Sequence, residues 1–82
     1  DLPSFEVSRS ELETGVVLAA LAVDAGLAGS RGEARRLAQG GGLRVNDKAE
    51  PDANRLIDAS DLVDGGVKLS AGKKKILLGR PA

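Results

Sequence analysis

The chain has no cysteine, histidine, tryptophan, tyrosine or methionine, and Phe5 is its one aromatic residue. Each absence excludes something. Without cysteine there is neither a disulfide framework nor a thiolate metal site, which fits a reducing compartment. Without histidine the usual acid–base group near neutral pH and the commonest metal ligand are both missing. With a single aromatic ring there is no platform on which splayed bases of a single strand could stack. No apolar run approaches the roughly 20 residues needed to span a bilayer. The opening Asp1-Leu2-Pro3 lacks the basic-then-apolar layout of a signal peptide. The expectation is a soluble, cytoplasmic chain that avoids membranes.

At 82 residues the chain is one small domain, near the size where a hydrophobic core is only just sufficient. That core must be built from Leu, Val, Ile and Ala. Acidic pairs such as Asp58 with Asp61 sit among turn formers and read as solvated carboxylates, not as catalytic groups. The stretch from Gly66 to Lys73 is no phosphate-cradling loop. It puts five residues between its glycines where four are required, and Lys74 follows where Ser or Thr should bind magnesium. No catalytic residue, metal site or cofactor is expected in this chain.

The net charge is zero, but it is unevenly distributed. Residues 1–29 carry Asp1, Glu6, Glu11, Glu13 and Asp24 against Arg9, a balance of −4. Residues 30–48 carry Arg31, Arg35, Arg36, Arg44 and Lys48 against Glu33 and Asp47, giving +3. Residues 49–66 carry Glu50, Asp52, Asp58, Asp61 and Asp64 against Arg55, giving −4. Residues 67–82 carry Lys68, Lys73, Lys74, Lys75 and Arg80 with no acid, giving +5. If folding brings the two basic blocks together, the molecule has a positive face and a negative back.

Residues 1–10 read as a linker or an ordered N-terminal arm, with residues 11–82 as the domain proper. Val16, Val17, Ala20, Leu21 and Val23 recur at near-helical spacing until Gly26, which predicts a helix over about 15–25. A second helix is written more explicitly. Ser30-Arg31-Gly32-Glu33 has the form of a capping box, a cap typically worth about 1 kcal/mol. The helix then runs to about Gln39 and stops at Gly40-Gly41-Gly42. At the helical period Ala34, Leu37 and Ala38 form a buried stripe, while Arg31, Arg35 and Gln39 align one turn apart with Arg36 beside them.

An ordinary solvated face fits that charge spacing as well as a functional one does. Two local penalties favour function. Arg31 and Arg35 are like charges one turn apart, and Arg31 stands at the first helical position, where a cation opposes the helix dipole. Planar guanidinium forks that bind phosphate would account for both.

Beyond the glycines, Leu43-Arg44-Val45 alternates like a half-buried strand, and Asn46-Asp47 makes a tight turn into Lys48-Ala49. Leu56-Ile57 and Leu62-Val63 are short apolar pairs. Val67-Lys68-Leu69 and Ile76-Leu77-Leu78 predict a hairpin connected through residues 70–73. The lysines at that connection are equally explained as protection of a strand edge against aggregation. The expected class is α+β, with two short helices packed on a small, mostly antiparallel sheet.

The run Gly26-Leu-Ala-Gly-Ser-Arg-Gly-Glu-Ala-Arg-Arg-Leu37, followed by Leu43-Arg-Val-Asn46, resembles the RNA-binding module first defined in small-subunit ribosomal protein four, also called the alpha-L motif. The tail from Gly66 to Leu78 and the opening Leu2-Pro-Ser-Phe-Glu-Val7 are similar to the C-terminal domain of bacterial-type tyrosyl-tRNA synthetases. The resemblance implies a non-catalytic domain that grips tRNA-Tyr around its variable arm and anticodon stem. Carried over by position, Ser30, Arg31, Arg35, Arg36, Gln39 and Asn46 become RNA contacts, with Lys48, Lys73, Lys74 and Lys75 as supporting phosphate contacts. The partners implied are tRNA-Tyr and a catalytic domain of the same chain, which would use ATP and tyrosine, in a full-length homodimer. Asp47 departs from the family pattern, which has glycine in that turn. Other members of the superfamily, such as a pseudouridine synthase accessory domain or a ribosome-associated factor, share the helix motif. A protein-interaction module is a different possibility, which exposed apolar surface on residues 16–23 would support.

Overall fold

A computed structural model describes residues 3–72 and 75–82. The elements run β1 (Ser4–Val7), α1 (Arg9–Thr14), β2 (Val16–Val17), α2 (Leu18–Asp24), α3 (Arg31–Gln39), β3 (Leu43–Val45), β4 (Lys48–Ala49), β5 (Leu56–Ile57), a 3-10 turn (Ala59–Asp61), β6 (Val67–Ala71) and β7 (Lys75–Pro81). The α+β class is as expected. The main sheet has the order β1-β7-β6-β3-β4 and is antiparallel except where β1 lies parallel to β7. A two-stranded ribbon joins β2 to β5.

Three differences from the expected layout have physical causes. First, the helix expected over 15–25 begins only at Leu18. Val16 and Val17 pair with Ile57 and Leu56, and extended backbone suits β-branched side chains. No side chain caps α2; instead the Leu18 and Ala19 amides donate to the carbonyls of Arg55 and Ala53, at 2.9 Å each. Second, a short helix, α1, buries Leu12 and ends at Gly15, whose φ of 95° suits glycine. Third, residues 4–7 form an edge strand. Leu78 donates its amide to the Pro3 carbonyl and Ala82 donates to that of Val7, at 3.0 and 2.9 Å.

The core lies between the helices and one face of the main sheet. Leu18, Leu21, Leu43, Ile57, Leu69, Val7 and Val67 are its largest fully buried side chains. With no ring larger than Phe5 to fill space, close approach is achieved with alanine and glycine. Ala22, Ala34 and Ala38 are fully buried where α2 packs against α3. A Cβ on Gly79 would come within 2.9 Å of the Phe5 ring. Residues 16–23 are buried or half-buried, so the apolar surface that would favour a protein-interaction module is not present there.

Candidate nucleic-acid interface

α3 is held at its start by the predicted cap. Ser30 is extended, with φ −158° and ψ 165°, and its Oγ accepts from the Glu33 amide at 3.1 Å. The return half of the capping box is not made; the Glu33 carboxylate instead lies by Gly29, where a Cβ would be 3.1 Å from its Oε2. Ala34 and Ala38 are buried and Leu37 half-buried, while Arg31, Arg35, Arg36 and Gln39 are exposed. Three ion pairs occur among the described residues: Arg55 with Glu50, Arg55 with Asp61, and Lys68 with Asp47. Among those residues, therefore, no carboxylate neutralises the α3 arginines.

Asn46 and Asp47 form the turn between β3 and β4 with φ values of 51° and 71°. Those left-handed values are ones Asn and Asp tolerate, so the turn is kept without glycine. The Asn46 amide group is committed internally. Its Nδ2 donates to the Asp61 carbonyl at 2.7 Å and its Oδ1 accepts from the Lys68 amide at 3.0 Å. Asn46 thus ties three segments together beneath the turn. The Asp47 carboxylate is engaged by Lys68, with Nζ to Oδ1 at 2.8 Å.

The acidic loop is built for structure. The Asp58 carboxylate accepts from the Ser60 amide at 2.9 Å, and the Asp61 carboxylate accepts from the Asp58 amide at 3.1 Å, a capping box on the 3-10 turn. The Ser60 hydroxyl, then its amide, then Arg55 hold the Asp58 carboxyl below its ordinary value of 3.8, against the opposing effect of burial. Arg55, the one base of that acidic block, is spent on Glu50 and Asp61.

Strand pairing decides where the charge goes. β3 from the first basic block pairs with β6 from the second, joining Leu43 to Ala71, Arg44 to Ser70 and Val45 to Leu69. β2 and β5, from the two acidic blocks, pair with each other. The separation is not complete: β1 sets Glu6 beside Arg80 of β7, the Glu50 amide donates to the Leu43 carbonyl, and Asn46 donates to the Asp61 carbonyl. Lys75 is exposed at the start of β7, and the Gly72 amide donates to the Gly42 carbonyl at 2.8 Å. The β6–β7 turn therefore starts beside the glycines that end α3. Lys48 is exposed on β4. Lys73 and Lys74 lie outside the described residues. Arg44 and Lys68 lie on the sheet face away from the core, as the Leu-Arg-Val and Val-Lys-Leu alternation dictates.

Comparison with known proteins agrees with this geometry. The family model described as the S4 domain matches residues 18–63, more than half of the chain. The tyrosine–tRNA ligase of Caulobacter vibrioides (strain NA1000 / CB15N) is 74% identical over 81 residues, covering 99% of this chain and 19% of that protein. The tyrosine–tRNA ligase of Rhizobium meliloti (strain 1021) is 55% identical over 82 residues, covering 99% and 20%. That of Agrobacterium fabrum (strain C58 / ATCC 33970) is 49% identical over 83 residues, covering 100% and 20%. The chain spans about a fifth of the length of the curated relatives it matches. With its cationic helix face, its paired basic strands and a family match across α2, α3 and the turn that follows β3, the chain belongs to the S4 domain family of RNA-binding modules.

Proposed function

We propose that the chain is the tRNA-binding, non-catalytic domain of a tyrosine–tRNA ligase, gripping tRNA-Tyr around its variable arm and anticodon stem. The observation that carries this is the pairing of the two basic blocks through β3 and β6, beside an α3 face whose arginines no carboxylate neutralises among the described residues. The high identity to ligases from several bacteria supports the choice within the superfamily. Structured RNA is bound mainly through shape, phosphate and 2′-hydroxyl contacts, which arginine forks can supply and for which no aromatic platform is needed.

In this reading Arg31, Arg35, Arg36 and Gln39 meet the RNA directly, with Lys48 and Lys73 to Lys75 as phosphate contacts from the flanks. Ser30 acts by fixing the first turn of α3. Adenylation with ATP and tyrosine belongs to a catalytic domain elsewhere in the ligase, which works in the cytoplasm as a homodimer. A domain with zero net charge is suited to act as an appended grip, gaining avidity from the rest of the enzyme.

The test is titration of tRNA-Tyr, and of a tRNA without a long variable arm, at several salt concentrations. Log affinity should fall linearly with log salt, the long-armed RNA should bind more tightly, and Arg31→Ala/Arg35→Ala should weaken binding at least about tenfold with an unchanged circular dichroism spectrum. Salt-insensitive binding, or no binding by the ligase that carries the domain, would overturn the reading.

A further inference from the structure

The helices cover one face of the main sheet, and the opposite face carries a feature that the α3 surface does not explain. On β3, Leu43 and Val45 are buried and Arg44 is exposed. Arg44 stands opposite Ser70 on β6, which in turn stands opposite Ile76 on β7. Directly opposed side chains share a sheet face, so the three form one row across the strands on the side away from the helices. Ser70 is 5% exposed and is the one buried polar side chain among the described residues. Among those residues its hydroxyl makes no hydrogen bond, although it is not sealed from solvent. A solvent-reachable hydroxyl lining a depression can donate to a bound group.

That depression is a groove lined by Gly41, Gly42, Arg44, Asp47, Ser70, Gly72 and Ile76. Two of its glycines are favoured locally, since Gly41 and Gly72 hold φ values of 79° and 66°. The groove therefore presents glycine backbone, the Arg44 side chain and the Ser70 hydroxyl together. The one acid in the groove, Asp47, is paired with Lys68, which leaves the Arg44 charge uncompensated among the described residues. The groove includes Gly41 and Gly42, the glycines through which α3 passes into β3.

We infer that this groove holds a phosphodiester of the bound RNA, with the Arg44 fork and the Ser70 hydroxyl as donors, extending the contact surface from α3 to the far side of the sheet. The inference rests on the RNA-binding reading above, and its test separates the two. Salt titrations of the full chain with tRNA-Tyr are made for the parent, Arg31→Ala, Arg44→Gln, Arg44→Lys and Ser70→Ala. Arg44→Gln should weaken binding about 5- to 10-fold at low salt and reduce the slope of log affinity against log salt by about 0.7–0.9, the contribution of one phosphate. Arg44→Lys should restore the slope without the full affinity. Ser70→Ala should weaken binding about 2- to 3-fold with an unchanged melting temperature, since its hydroxyl makes no hydrogen bond among the described residues.

An unchanged slope in Arg44→Gln, with Arg31→Ala still weakening binding, would overturn the groove and leave the RNA reading standing. Affinity unchanged by both arginine variants, or no RNA binding at all, would overturn both. A fallen melting temperature in Ser70→Ala with unaltered affinity would make Ser70 structural. If inorganic phosphate alone shifts the Arg44 side-chain NMR resonance while the RNA slope ignores Arg44→Gln, the groove is a free-anion site and the inference fails.

Discussion

Among single residues Asn46 shows most clearly how a binding motif can be doing structural work. Sequence resemblance makes it an RNA contact, but both ends of its amide are used inside the domain, on the Asp61 carbonyl and the Lys68 amide. Asn46→Ala would leave those partners unpaired in half-buried surroundings and put alanine at a φ of 51°. The expected cost is about 1–3 kcal/mol for the lost bonds, read as a lower urea midpoint. RNA affinity measured well below that midpoint should change little. Weaker RNA binding with no loss of stability would instead make Asn46 a direct contact. The local rule that Asn tolerates left-handed backbone made the turn readable in the sequence. The partners of its side chain were not readable, because Asp61 and Lys68 are brought to it only by the sheet and the 3-10 turn.

At the scale of elements, legibility follows how local the determinants are. α3 has a cap, an apolar stripe and a glycine stop within a dozen residues, and it forms where the sequence places it. The β6–β7 hairpin combines the Val67-Lys68-Leu69 alternation with the apolar run at residues 76–78 and was readable for the same reason. By contrast, β2 exists because Val16 and Val17 find Ile57 and Leu56 far along the chain; without that partner the two valines continue a helical pattern. α1 has six residues and one buried side chain, too little periodicity to register. The α3 cap is the element-scale lever on binding. Ser30→Ala should cost about 1 kcal/mol of stability and fray the turn that carries Arg31, so RNA binding should weaken modestly. Ser30→Gly should cost only a few tenths of a kcal/mol. Equal stability losses in the two variants would show that the Ser30–Glu33 bond does not hold the helix start.

At the scale of the whole molecule, strand pairing joins the two basic blocks through β3 and β6 and the two acidic blocks through β2 and β5. The N-terminal arm crosses that division, since β1 brings an acidic segment against β7. What it supplies is burial and edge protection. Val7 is 2% exposed, Phe5 packs against Gly79, and the β7 edge would otherwise present unpaired backbone groups. In a domain of 82 residues a single such side chain is a large share of the total, which for proteins generally is about 5–15 kcal/mol. Val7→Ala should therefore lower stability by about 2 kcal/mol, shifting the urea midpoint with little change in the slope of the transition. Because the arm lies apart from the α3 arginines in the charge layout, the salt slope of RNA binding should stay at the parent value under conditions where the variant is folded. A parent-like urea midpoint would mean that the arm is docked on the domain without being part of its cooperative core. A reduced salt slope in a folded Val7→Ala protein would mean instead that the arm helps to hold the basic face in place.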